Sequence, residues 1–386
     1  MNRGSRIIVV GSPALGGSGI MAQRIANALA RRGYSVRFVS YALPKALSPD
    51  VVCVTARPRS HPLSPFPLAQ TALAEGLYES CMRERVEVIH AHYATLFGEA
   101  AADAVMALSP GRRPRLVLTC HGTDVVNVSS LGEPSLPTLA LTAAVLQKAD
   151  AVTAVSRNLA DRIEAAGLVP SGTPVAVVPN FIDAMPGSVT RRGAGAPIRI
   201  VHASNFRPVK QPQLLPDIAR LVDGAELTLV GAGPLYARTV RSAETLLGAS
   251  RVRAYGELPQ KETLHNIAEA DVMLLPSRYE SFSLAALEAQ ACGIPVVGTA
   301  SGGMREVVRD GTSGFLLHPD APLGAWADAV RAAISLPCVR REARASAARF
   351  SETSVIREYE RLYEEGTAPL VGADRPHTGS LWTRCE

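Results

Sequence analysis

Apolar, β-rich runs alternate with amphipathic helical stretches along nearly the whole chain, and this alternation limits the possible folds more than any other feature. A strand that is apolar throughout needs cover on both faces, and a helix after each strand supplies it when the strands are parallel and joined by right-handed crossovers. The strands predicted in the first half are Arg6–Val10, Val36–Ser40, Val86–His90, Leu116–Cys120, Ala151–Ser156 and Val175–Pro179. Those predicted in the second half are Ile198–Ala203, Glu226–Gly231, Val252–Tyr255, Asp271–Leu275, Val296–Thr299 and Gly314–Leu317.

The two sets read as two Rossmann-like α/β sheets, and 386 residues let each bury its own core. Between them, Asp183 to Pro197 (DAMPGSVTRRGAGAP) is rich in Gly, Pro and Arg without apolar periodicity, which predicts a linker. The expected domains are therefore residues 1–183 and 184–350. Ser354–Glu365 has helical spacing at Val355, Ile356, Tyr359, Leu362 and Tyr363, and residues 366–386 are expected to be a disordered tail.

Several strand ends carry residues suited to an anionic guest. Gly11-Ser-Pro-Ala-Leu-Gly16-Gly17-Ser18-Gly19 opens a helix through Ala22, Ile25, Ala26 and Leu29, so backbone there is able to approach a phosphate or sugar. A dinucleotide fits poorly: the loop lacks G-x-G-x-x-G spacing, and strand two ends in Ser40-Tyr41-Ala42-Leu43 without an acid for a ribose. Arg207 and Lys210, beyond the strand Ile198–Ala203 and with no acidic partner nearby, suit a diphosphate, one as a planar fork and the other as a point charge.

The segment Pro276–Gly303 is where the chemistry is expected. It leads from the strand Asp271–Leu275 into an Ala- and Leu-rich helix that Ser281 or Ser283 is placed to cap, with the first-turn N–H groups left to meet a phosphate. Glu280 stands before this helix. Glu288 stands about two turns inside it among Leu284, Ala285, Ala286, Leu287 and Ala289, so it is expected to be semi-buried and to need a hydrogen-bonding partner, which sugar hydroxyls would supply.

His90-Ala-His92-Tyr93 and His121-Gly122-Thr123-Asp124 follow the third and fourth predicted strands, where open α/β sheets bind ligands. Their spacing matches no helical H-x3-H or H-E-x-x-H pattern, and no metal is expected. His90 reads as core, and His121, beside a glycine, as the functional candidate.

The spacing of Glu280 and Glu288 within E-S-F-S-L-x3-E-A-x-A-C-G-x-P-V-V-G-T-x3-G resembles the donor signature of glycosyltransferase family 4, retaining enzymes of the GT-B fold. The strings GGSG, HAHYA, HGTD, ADAVTAVS, NFID and HASNFRPVK extend the resemblance from Gly16 to Phe315, and are shared with the malate-using branch of bacillithiol biosynthesis. The resemblance implies two Rossmann-like domains facing a central cleft, with a last helix, 351–365, crossing back onto the first. It implies a nucleoside-diphosphate sugar as donor and no metal or other cofactor. Residue by residue, it puts Glu280 and His121 by the donor sugar, Glu288 on the nucleotide ribose, and Arg207 and Lys210 on the leaving diphosphate. Gly16, Gly17, Gly233, Phe282, Ser283 and Leu284 would border the donor largely through backbone, leaving Ser18, Tyr93 and Thr123 for a small acceptor.

Departures fall on the acceptor side and at the donor turn. Position 283 is Ser where relatives usually carry Gly, and Met304-Arg305 replaces a common Ile-Pro. The helix LPTLALTAAVLQK at Leu136–Lys148 lacks the arginine that relatives offer to anionic acceptors, its place being taken by Ala143. A neutral or zwitterionic acceptor, a small thiol such as ergothioneine among them, is expected ahead of malate, in specialised metabolism. The alternatives are UDP-GlcNAc:L-malate transfer, a polymer transferase, and an inactive nucleotide-sugar-binding module, with Asp124 as candidate nucleophile should retention proceed through a covalent intermediate.

A pI of 9.0 raises the question of nucleic acid, but the cations are scattered and aromatic residues make up only 5%, so no stacking platform is expected. The six cysteines form no C-x-x-C pair and read as thiols of a reducing compartment. No run approaches a membrane span, and the expected setting is the cytoplasm, with a homodimer as the candidate assembly.

Overall fold

The computed structural model describes residues 4–14, 16–56, 65–126, 136–183, 196–336 and 338–365. Nearly all of the predicted linker at 183–197, and the whole of the predicted tail at 366–386, lie outside the described residues.

Among the described residues, seven strands form the first sheet: β1 (Arg6–Val10), β2 (Ser35–Ser40), β3 (Val52–Thr55), β4 (Val88–His92), β5 (Arg115–Cys120), β6 (Ala151–Ala154) and β7 (Ala176–Val177), in the order β3-β2-β1-β4-β5-β6-β7. Six form the second: β8 (Arg199–Ala203), β9 (Glu226–Val230), β10 (Val252–Gly256), β11 (Val272–Leu275), β12 (Val296–Thr299) and β13 (Gly314–Leu317), in the order β10-β9-β8-β11-β12-β13. Every pairing is parallel, as apolar strands sandwiched by helices require.

Two differences from the predicted strands matter. β3 was not expected, because its run is short and its side chains are only half buried, as befits an edge strand. The strand expected at Val86–His90 instead occupies Val88–His92, where all five residues are buried, so His92 joins the sheet and Tyr93 becomes the first residue beyond it.

The helix Glu352–Glu365 packs on the first sheet. Val355, Ile356, Tyr359, Leu362 and Tyr363 share one core with Ile7, Val9, Met21, Ile25 and Phe38. Its charged face is tied by Arg31–Glu352 at 2.6 Å and Arg32–Glu360 at 2.7 Å. The second sheet has its own core around Trp326, Phe206 and Leu229.

Strand order reverses direction between β1 and β4 in one sheet and between β8 and β11 in the other. Helices cross to opposite faces at such a point, leaving a crevice at the carboxyl ends of the strands. The loops after these four strands carry Gly16 to Ser18, Tyr93, Arg207 to Lys210, and Ser277 to Ser283, and they face one another.

Candidate active site

The cleft between the sheets, about 320 Å³, is lined by Gly16 and Gly17 on one side and by Ser204, Lys210, Glu280, Ser283, Leu284 and Glu288 on the other. Its floor is the start of the helix Leu284–Ala291, capped by Ser283, whose hydroxyl accepts from Ala286 N at 3.4 Å. Ser281, the other candidate cap, has a different task. Its hydroxyl donates to the backbone oxygen of His121 at 2.5 Å, joining the domains. Gly122, at φ +123°, permits this approach, since a Cβ there would lie 2.6 Å from that of Ser281.

Ser283 adopts φ +81° and ψ +81°, a left-handed conformation uncommon for a residue with a Cβ. This explains why glycine suits the position and makes the serine a costly choice.

The glutamates are engaged. Glu280 Oε1 accepts from Lys210 Nζ at 2.8 Å and from Ser277 Oγ at 2.8 Å. The expectation that both cations lack an acidic partner therefore holds for Arg207, exposed and without an ion pair among the described residues, but not for Lys210. The two are folded together because the 3-10 turn Pro208–Lys210 packs under the Ser277 loop, with Arg278 N bonded to Val209 O at 2.8 Å. Glu288 is 6% exposed, as its apolar neighbours predicted, and its partners are Arg24 at 3.2 Å and Gln260 at 2.8 Å. Neither partner was foreseen, although a cation amid the apolar helix positions Met21, Ala22 and Ile25 was a signal for Arg24.

Two residues expected to border the donor through backbone also carry packing tasks. The Phe282 side chain is 1% exposed and packs edge-on against Phe350 at 5.3 Å, so only its backbone is available to a ligand. Gly233, next to the cleft-lining Gly231 and Ala232, permits close loop packing, since a Cβ there would sit 1.8 Å from Asn205 O.

Beside the cleft lies a second cavity of about 560 Å³, which gathers Ser18, Tyr93 and Thr123 together with Ser12, Gln70, Glu99 and Arg207. Glu99 and Arg207 are its charged lining groups. The Tyr93 hydroxyl hydrogen-bonds Thr123 Oγ1, and burial, with Asp124 nearby, pushes the phenol up to about 12. Tyr93 itself has φ +90°, entering a strained, kinked turn, Ala94–Gly98, with Leu96 at φ +60°, that bends chain and side chain into the cavity mouth. The helix expected to lack an acceptor arginine, Leu136–Leu146, contributes no lining residue among those described, and Ala143 packs partly buried against the core.

Behind the cavity the histidines form a neutral stack. His90 is core, bonded to Tyr363 at 2.8 Å and Thr119 at 2.7 Å, and His92 Nδ1 lies 3.0 Å from His121 Nε2. Burial holds His90 and His121 down at about 3 and His92 well below its usual value. Asp124 is 1% exposed, and its carboxylate accepts from the backbone of Ala94, His121 and Gly122, which marks it as the clamp of this loop. Burial still raises its pKa. Among the described residues, no group of three or more His, Cys, Asp or Glu is arranged to hold a metal.

Residues 193–351 match the model for glycosyl transferases group 1, and residues 15–185 that for Glycosyltransferase Family 4. The chain is 33% identical over 318 residues to an N-acetyl-alpha-D-glucosaminyl L-malate synthase of Bacillus anthracis, covering 79% of this chain and 81% of that one. The chain belongs to the family 4 glycosyltransferases. Its two sheets are the GT-B fold. The glycosyltransferase superposes on sucrose-phosphate synthase from Thermosynechococcus elongatus with a TM-score of 0.79 at 21% identity, covering 93% of this chain and 98% of that one. It superposes on Anabaena Alr3699/HepE in complex with UDP-glucose with a TM-score of 0.73 at 19% identity, covering 92% and 98%. No described helix of the glycosyltransferase is long and apolar enough to cross a membrane.

Proposed function

We propose that this glycosyltransferase is a retaining, metal-independent, cytoplasmic enzyme that moves a sugar from a nucleoside-diphosphate sugar to a small neutral or zwitterionic acceptor. The observation that carries the reading is the abutment of two unlike compartments. One is charged and holds Lys210, Glu280, Glu288 and a helix start; the other mixes hydroxyls with the apolar Leu96 and Phe97 and a single charge of each sign, Glu99 and Arg207.

As the bond between the anomeric carbon and the diphosphate oxygen breaks, negative charge grows on the diphosphate. Arg207, Lys210 and the N–H groups of Phe282 to Leu284 would stabilise that charge more than the ground state. The acceptor attacks from the face the phosphate leaves, its proton passes to the departing phosphate oxygen, and configuration is retained without an enzymic nucleophile. Asp124, buried and bonded to three backbone N–H groups, is poorly free to serve as one.

For the acceptor, Ser18, Tyr93 and Thr123 offer hydroxyls, while Glu99 and Arg207 offer one charge of each sign. That set suits a zwitterion better than a dicarboxylate, and a small thiol in specialised metabolism, ergothioneine for example, is the acceptor we favour, with an S-glycoside as product. Malate is the second reading, favoured by the similarity to the Bacillus anthracis synthase. Mass spectrometry of reactions offering malate and small thiols with UDP- and GDP-sugars tests both. Efficient formation of GlcNAc-malate with thiols inert would establish the second, and no turnover of any nucleotide sugar would support an inactive binding module.

A further inference from the structure

Arg24 is a buried cation outside every role assigned so far. It lies inside the helix Gly17–Arg31, whose first turn edges the cleft, and its side chain is only 6% exposed. A guanidinium at that depth carries a large desolvation penalty unless its donors are met. They are met in three directions. One terminal nitrogen donates to Glu288 Oε1 at 3.2 Å, the other to the backbone oxygen of Phe181 at 3.2 Å, and Nε faces Asp183 Oδ2 at 3.7 Å. Phe181 and Asp183 stand where the chain leaves the first domain, whereas Glu288 belongs to the second. One side chain thus ties the first-domain helix, the exit of that domain and the donor helix together.

Gln260 adds a second bond to the same oxygen of Glu288, at 2.8 Å. A carboxylate with two donors fixed on Oε1 has its rotamer set and keeps acceptor capacity on Oε2.

We propose that Arg24 is a positioning residue that holds Glu288 for the donor nucleotide from across the domain boundary, so that donor affinity depends on the domains being closed at this tie. The inference rests on the reading that Glu288 serves the nucleotide. Arg24 and the ribose hydroxyls share the carboxylate, one oxygen each, and the carboxylate is preorganised before the nucleotide arrives. Separating the domains would draw Arg24 away and leave a buried carboxylate with Gln260 alone, so a ligand that engages Glu288 favours the closed arrangement.

Calorimetric titration of UDP and GDP into wild type, Arg24→Met, Arg24→Lys, Glu288→Gln and the double variant Arg24→Met/Glu288→Gln tests this, with steady-state kinetics on each. Arg24→Met is expected to weaken the preferred nucleotide by roughly 5- to 150-fold, the range of a coupling between sites, while kcat at saturating donor and the acceptor KM stay within about threefold of wild type. Arg24→Lys, which keeps the charge without the fork, should recover part of the loss. The double variant should bind no more weakly than Glu288→Gln alone, because Arg24 acts through Glu288.

Additive losses in the double variant, or equal losses in kcat and both KM values, would overturn the proposal. Should Arg24→Met fail to fold, Arg24→Lys and the charge-balanced double variant carry the same comparison. Wild type that binds while Arg24→Met binds equally well sinks this inference alone; wild type that binds neither nucleotide sinks the donor reading and this inference with it.

Discussion

The charged cleft and the neighbouring cavity adjoin but are built on different principles. In the cleft, charged groups come in compensated sets: Lys210 with Glu280 and Ser277, and Glu288 with Arg24 and Gln260. Charges at that depth persist only when partnered, so the cleft is stiff and its geometry is settled before a ligand enters. The cavity is held open by backbone instead. Tyr93 at φ +90° and Leu96 at φ +60° force the chain round a kinked turn, and Asp124 clamps the loops from beneath through backbone N–H groups. Its lining includes the hydroxyls of Ser12, Ser18, Tyr93, Thr95 and Thr123, which adapt by rotation. A preorganised charged half suits a constant chemical task, and an adaptable hydroxyl half suits a substrate that varies between relatives.

The sharpest way to break this contrast is to remove a cation from each half. Lys210→Ala should lower kcat by roughly 10²-fold or more, as loss of one preorganised charge contact does, with the acceptor KM unchanged. Arg207→Ala should lower kcat by a comparable factor and raise the acceptor KM too, since Arg207 lines the cavity. Identical kinetic profiles for the two variants would mean that both cations serve only the diphosphate.

A smaller effect belongs to the hydroxyls. Tyr93→Phe or Thr123→Val should raise the acceptor KM by up to about tenfold, the value of a hydrogen bond or two, and leave donor affinity alone. A shift confined to donor KM would assign the cavity to the sugar. On the proposed reading, activity should persist in excess EDTA, because Arg207 and Lys210 would take the place of a divalent ion at the diphosphate. Loss that added Mg²⁺ reverses would contradict this.

Stability should carry the signature of the neutral histidines. Burial lowers the folded pKa of His90 and His121 to about 3 and of His202 to about 4, against an ordinary value of 6.5. Between those limits the unfolded chain binds more protons than the folded one, so stability falls as pH drops from about 6.5 towards 3. Thermal melts from pH 7 to pH 4 should show a declining midpoint, with a shallower decline in His90→Gln; an unchanged slope in that variant would locate the acid sensitivity elsewhere.

The smallest expected effect is at Ser283. Glycine relieves a left-handed residue worth about 1 to 2 kcal/mol, against a few tenths for the lost cap. Ser283→Gly should therefore raise the melting midpoint by about 2 °C. A lower midpoint would show that the serine is held by more than its cap.

Much of this was legible before the fold was known, because it depends on local rules. Strand runs such as Ile7 to Val10 and Val272 to Leu275 are apolar throughout, which forces burial on both faces and hence parallel pairing under helices. The helix start after Ser283 and the semi-buried position of Glu288 followed from the neighbours in the chain. What surrounds each charge was not legible. Arg24 meets Glu288 across 264 positions, Lys210 meets Glu280 across 70, and Ser281 meets His121 across 160. A side chain's type states that it needs a partner, but the partner is chosen by which strand ends the topology brings face to face. The packing partners of Phe282 and Gly233, Phe350 and Asn205, were likewise not legible from their motifs. Periodicity is written into the chain because solvent acts on every residue alike; pairing is decided only when two sheets close on one another and the low dielectric between them makes each unmatched charge expensive.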